Sequence, residues 1–159
     1  MMTPKLQHEL KKKRPLESPE EEALLSVVRT SDQLQIHSAR LLREHGLTPS
    51  QYNILRILRG EGKPLPILEI ASRTIAVVPG ITGLIDRLEQ AGFVNRLRCQ
   101  KDRRVIYVAL TDQGMTTLAA LAEPLVALHH KLVGHLSQGE LKELIRLLEK
   151  VREPLVGDG

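Results

Sequence analysis

PGITGLIDRLEQAGFVNRLRCQKDRRVIYVALT, residues 79–111, is the stretch on which the reading of this chain turns. Ile81, Leu84, Ile85 and Leu88 stand at i, i+3, i+4 and i+7, one apolar stripe of an amphipathic helix. Pro79 suits the opening of that helix and Gly92 its end. Two runs of strand character follow, residues 94–98 and 105–110, the second alternating Ile106, Val108 and Leu110 with Val105, Tyr107 and Ala109. Between them lies a polar, basic turn, Cys99-Gln100-Lys101-Asp102-Arg103-Arg104. A short helix followed at once by a cationic hairpin can hold a duplex at two places.

Outward from this stretch the chain reads as helices. Upstream, Ile67, Ile70 and Ala71 mark a short helix behind Pro64 and Pro66, and residues 74–78 (TIAVV) read as a tight apolar connector. Two short helices joined by a brief turn form a helix-turn-helix, with the second as the reader. Thr48-Pro49-Ser50-Gln51 starts a further helix carrying Ile54, Leu55 and Leu58, stopped at Gly60. Ser18-Pro19-Glu20-Glu21 has the chemistry of a capping box and opens a long helix that ends at Gly46. Downstream, Thr111-Asp112-Gln113-Gly114 begins a second long helix, with Pro124 expected to kink it, and Ser137-Gln138-Gly139-Glu140 begins the last. The expected fold class is mostly α with a small β-hairpin wing.

Composition narrows the function. The chain has 159 residues and a net charge of +4, enough for one core of ordinary domain size. Residues 94–106 carry five basic side chains against Asp102 alone, a concentration suited to phosphates. Aromatics are Tyr52, Phe93 and Tyr107, with no Trp, too few for a stacking platform that binds single strands. The lone Cys99 cannot form an internal disulfide, which fits a reducing cytoplasm. No apolar run approaches a membrane span, and no signal-peptide core opens the chain, so a cytoplasmic, membrane-free protein is expected. Residues 1–17, with Lys11-Lys12-Lys13-Arg14, read as a disordered basic tail. None of the pairs among the six histidines falls at helical i, i+4 spacing, and no Gly-rich phosphate loop or nucleophile–base set stands out. No metal, cofactor or enzymatic activity is expected.

The segments LTPSQYNILRIL (47–58), PGITGLIDRLEQAGFVNR (79–96) and DRRVIYVALTDQG (102–114), in that order between long flanking helices, resemble the MarR family of transcription regulators. The resemblance spans roughly residues 18–152. It implies a homodimer in which 18–46 and 112–153 supply the dimerisation helices and 47–111 the winged helix-turn-helix. It also implies double-stranded DNA as partner, with the reader helix in a major groove and the wing in a minor groove. Apolar stripes at both chain ends exceed what a winged domain alone can cover, which allows such pairing. The DNA contacts expected are Arg73, Pro79, Gly80, Thr82, Gly83 and Arg87 around the reader helix, and Arg98, Lys101, Asp102, Arg103 and Arg104 in the wing. By resemblance Asp102 orients one wing arginine through an ion pair, and Arg103 is the favoured arginine for the minor groove. Many relatives carry a longer polar side chain where Gly83 stands; either close backbone approach to DNA or tight helix packing could account for the glycine.

Small phenolic or other anionic effectors bind many relatives between the dimer and DNA lobes, and His37, Arg40 and Tyr52 are the candidates here. Peroxide-sensing relatives carry a reactive cysteine near the first helix, where this chain has none. The reading is therefore a ligand-responsive, sequence-specific DNA-binding repressor acting as a dimer on a palindrome. The alternative is a winged-helix protein–protein module without specific DNA binding, for which the sparse polar face of the reader helix leaves room.

Overall fold

The apolar stripe of residues 81–88 becomes helix α5, Ile81–Gln90, in the computed structural model, which describes residues 5–157. Leu84, Ile85 and Leu88 are buried, each side chain contributing about 1.5–3 kcal/mol at most. The helix starts two residues later than Pro79 suggests. Gly80 is its N-cap and lies in the left-handed region at φ 67°, a conformation that carries almost no steric penalty only without a Cβ. Pro79 and Gly80 thus form the turn into the reader helix rather than its first residues.

The chain divides into two compact units, Met1–Pro49 and Ser50–Gly159. In the first, α1 spans Lys5–Glu9 and α2 spans Pro19–Arg43. The Ser18 hydroxyl accepts the Glu21 N–H at 3.1 Å, as the capping signal requires. The reciprocal half of the box goes elsewhere: the Glu21 carboxylate accepts the Glu17 N–H at 2.6 Å and the Lys12 ammonium at 2.9 Å. That hydrogen bond from the Glu17 backbone, then Lys12, holds the Glu21 carboxyl below the ordinary carboxylate range. The segment expected to be a loose tail is ordered over 5–17. Leu6 is buried, Glu9 pairs with Arg29 at 2.9 Å, and Lys12 with Glu21. Opposite charges on α2 give Lys12 of the basic run, and Glu9 before it, partners that composition alone does not reveal. Residues 1–4 of that tail lie outside the described residues.

The second unit contains most of α3 (Pro49–Glu61), then β1 (Leu65–Pro66), α4 (Ile67–Ser72), α5, β2 (Val94–Arg98), β3 (Ile106–Leu110), α6 (Asp112–Val133) and α7 (Gln138–Arg152), with a 3-10 turn at Glu153–Leu155. The expected hairpin is one part of a three-stranded antiparallel sheet in the order β1-β3-β2. Leu65 pairs with Val108, and β2 runs against β3 from Val94 opposite Leu110 to Arg98 opposite Ile106. Strand β1 is two residues long and one of them is Pro, which donates no hydrogen bond. Such a strand has no alternation to read. Among the described residues the fold is mostly helical with this small wing sheet.

The Leu110-Thr111-Asp112-Gln113-Gly114 motif joins wing to long helix. Thr111 caps α6, its hydroxyl oxygen accepting the Gly114 N–H at 3.1 Å while donating to the Gly92 carbonyl at 2.5 Å. One side chain therefore fixes both the start of α6 and the end of the reader helix. Gly114 is buried so tightly that an added Cβ would meet the Phe93 carbonyl at 2.4 Å. Helix α6 continues through Pro124 as one element. Helix α7 carries the complete Ser137–Glu140 capping box and buries none of its residues.

Candidate nucleic-acid interface

The reader helix α5 presents one face to the core and the opposite face outward. Thr82, Asp86, Arg87 and Gln90 are exposed on it, and Gly83 is half-buried. Nothing lies within 4 Å of a Cβ built at Gly83. Tight packing against a neighbouring helix is therefore not the reason for glycine here; the helix simply carries a gap in its outer face. Pro79 and Gly80 sit exposed just ahead of it.

A residue that sequence reasoning missed ties this helix to the wing. Arg96, on β2 and only 21% exposed, pairs with Asp86 at 2.5 Å and with Glu89 at 3.1 Å. Its own N–H donates to Glu89 at 2.7 Å, and its guanidinium reaches the Thr82 carbonyl at 3.4 Å. Burial pulls the Arg96 pKa down, but hydrogen bonds to Asp86 and Glu89, and their charges, outweigh it and leave the group held above its usual value. The planar fork of an arginine can satisfy two carboxylates at once. Asp86 and Glu89, three apart on one helix, are the signal that an arginine should face them.

The wing tip spans residues 99–105. It closes through the Cys99 N–H to the Val105 carbonyl and the Val105 N–H to the Asp102 carbonyl, both at 3.1 Å. Asp102 does orient an arginine, and that arginine is Arg104. The Asp102 carboxylate accepts the Arg104 backbone N–H at 3.0 Å and the Arg104 Nε at 3.3 Å. Arg103, Arg98 and Lys101 are exposed, and no ion pair involves them among the described residues. Arg87 is likewise exposed on α5 without one. The cations thus separate: Arg96 is held between two carboxylates, Arg104 touches Asp102 while its side chain stays 92% exposed, and Arg87, Arg98, Lys101 and Arg103 leave positive charge toward solvent.

Arg73 stands apart from the other expected contacts. Its guanidinium pairs with Glu61 at 2.6 Å and Glu69 at 3.2 Å. The hydrogen bond to Glu61 raises Arg73 above its usual value and in turn holds Glu61 below its own. Both carboxylates neutralise it, so its present task is to join the end of α3 to α4. His37 and Arg40 are exposed on α2 of the first unit, and Tyr52 is half-buried on α3 of the second. Among the described residues no three His, Cys, Asp or Glu side chains gather to hold a metal ion, and no helix is long and apolar enough to cross a membrane.

A helix seated by an apolar stripe, preceded by a short helix and followed by a cationic three-stranded hairpin sheet, defines a winged helix-turn-helix. Comparison with known proteins agrees. Residues 47–106 match the model of the MarR family. The chain is 37% identical over 115 residues to the HTH-type transcriptional regulator YkoM of Bacillus subtilis, covering 72% of this chain and 73% of that protein. It is 27% identical over 110 residues to the homoprotocatechuate degradative operon repressor of Escherichia coli, covering 69% and 74%. The crystal structure of a MarR transcription factor from Planctomyces limnophilus superimposes with a TM-score of 0.66 at 41% identity, over 84% of this chain and 98% of that one. The chain belongs to the MarR family of DNA-binding transcription regulators, which are not enzymes.

Proposed function

We propose that this regulator is a homodimer that binds a palindromic operator in double-stranded DNA and represses transcription. The observation that carries the reading is that Arg87 on α5 and Arg98, Lys101 and Arg103 on the adjoining wing are all exposed and, among the described residues, none is in an ion pair. In this reading Thr82, Gly83 and Arg87, with Pro79 and Gly80, meet the major groove. Arg103 enters the adjacent minor groove, and Asp102 holds Arg104 against the phosphates beside it. Arg98 and Lys101 add phosphate contacts. Arg73 would join them only by giving up its carboxylate partners.

Dimerisation is supported by apolar surface that one chain leaves uncovered. Leu24, Val28 and Ile36 are exposed on α2, and Val126, Leu144, Ile145, Leu147 and Val151 on α6 and α7. Repression follows the Escherichia coli relative, whose name states that role. Response to a small phenolic or other anionic effector is part of the proposal, with His37, Arg40 and Tyr52 as the side chains to substitute; the effector would act by favouring a dimer arrangement that fits DNA poorly.

Selection of bound duplexes from a random pool tests the core of this. The expected product is a palindrome with half-sites about one helical turn apart, bound with an affinity that falls steeply with salt. Absence of retention by any duplex at low salt would overturn the proposal in favour of a protein–protein module.

A further inference from the structure

The connector between α4 and α5 reads from sequence as a tight apolar segment, and the structure leaves two of its apolar side chains exposed. Ile75 is 85% exposed and Val77 is 93% exposed. Its first residue is fixed, the Thr74 hydroxyl donating to the Ala71 carbonyl at 3.0 Å, and its last residues, Pro79 and Gly80, lead directly into the reader helix. Two branched apolar side chains thus stand free immediately ahead of α5. Singly exposed apolar side chains are ordinary; what sets these two apart is their place, two positions apart in the one loop that enters the reader helix.

The outer face of α5 supplies the second half of the argument. Hydrogen-bond readout there is sparse. Gly80 and Gly83 offer no side chain, and Asp86 is held by Arg96. Thr82, Arg87 and Gln90 remain. In the major groove each base pair shows donors and acceptors, and thymine alone adds an apolar group, the C5-methyl. A reader poor in polar side chains but edged with stiff apolar ones matches that feature. Arg87 is exposed on α5 itself, and Arg98, Lys101 and Arg103 on the wing that packs against it, so an anionic polymer suits this part of the molecule better than an apolar protein surface does.

We propose that Ile75 and Val77 form an apolar lip that reads thymine C5-methyl groups, making each half-site depend on thymine beside the bases met by Thr82 and Arg87. This rests on the DNA-binding reading above and specifies its base preference. Val77, the more exposed and the nearer to α5, makes the principal contact. Gly83 helps by letting the helix backbone approach closely enough for the lip to reach the base edges.

The test uses the full chain and a duplex recovered from the random pool. Each thymine is replaced in turn by deoxyuridine, which removes only the methyl. At one or two thymines per half-site the wild type should lose about fourfold in affinity for each methyl removed, the effect of one buried methyl-sized group. The variant carrying Ile75→Ala and Val77→Ala should bind the thymine and uracil duplexes alike. Both side chains are exposed, so its melting temperature should match the wild type, which serves as the folding control. Equal binding of every uracil duplex by the wild type would overturn the lip while leaving operator binding intact. So would a double variant that keeps the fourfold sensitivity, since another residue would then read the methyl. A double variant with unchanged DNA binding but altered sedimentation mass would reassign the patch to contact between copies. Wild-type protein that retains no duplex at all would remove both this inference and the reading beneath it.

Discussion

Replacing Gly83 by Ala separates folding from DNA contact at one atom. The added Cβ has nothing within 4 Å of it in the free protein, and position 83 lies inside α5. Alanine relieves the conformational disadvantage of glycine in a helix, about 0.5–1 kcal/mol. For a chain of this length that raises the melting temperature by roughly 1–4 °C at fixed protomer concentration. Against DNA the same methyl occupies the space through which the backbone approaches the groove. A contact that must open to admit a methyl loses about 1–3 kcal/mol, roughly a five- to 150-fold rise in Kd. Thermal unfolding and duplex titration on one preparation give both numbers. A stabler protein with undiminished affinity would show that Gly83 does not face the duplex. A lowered melting temperature would show that the position is not open, and would refute the geometry itself.

Three further expectations use the same interface. Arg103→Ala should weaken operator binding by about 1–3 kcal/mol and lower the salt slope by about one, read by titration across salt concentrations; unchanged values would remove Arg103 from the groove. Arg96→Met releases Asp86 and Glu89 together and should reduce unfolding stability by about 1–3 kcal/mol in denaturant titrations; no loss would mean that the clamp between β2 and α5 holds nothing. Glu61 titrates below the ordinary carboxylate range because Arg73 hydrogen-bonds its charged form. Its contribution is therefore present at neutral pH and lost as pH falls through that lowered value. Wild type and Glu61→Gln should differ in stability near pH 7 and converge in acid, and a gap that widens on acidification would reverse the assignment.

The parts of this molecule legible in its sequence are those governed by neighbours along the chain. The stripe Ile81, Leu84, Ile85 and Leu88 marks α5 because a helix brings residues three and four apart onto one face. Ser18, Thr111 and Ser137 mark helix starts because a cap hydrogen bond spans only three residues. The alternation of residues 105–110 marks β3 for the same local reason, and the basic turn marks the wing tip.

What chain-neighbour rules leave open is every pairing made across distance. Strand β1 exists because Leu65 meets Val108; two residues ending in Pro hold no pattern of their own. Arg96 reads as one more wing cation until the fold sets it between Asp86 and Glu89. Arg73 reads as a DNA contact until Glu61, twelve residues away, meets it at 2.6 Å. Residues 5–17 read as tail until α2 offers opposite charges. Ile75 and Val77 read only as part of an apolar connector, and the fold leaves both in water, because apolar character says what a side chain prefers and not whether the backbone grants it. Local chemistry thus settled the longer elements and their order, but not α1 or β1. Only the folded chain could decide which charges cancel and which remain to face a partner, since an ion pair is defined by separation in space and not by distance along the sequence.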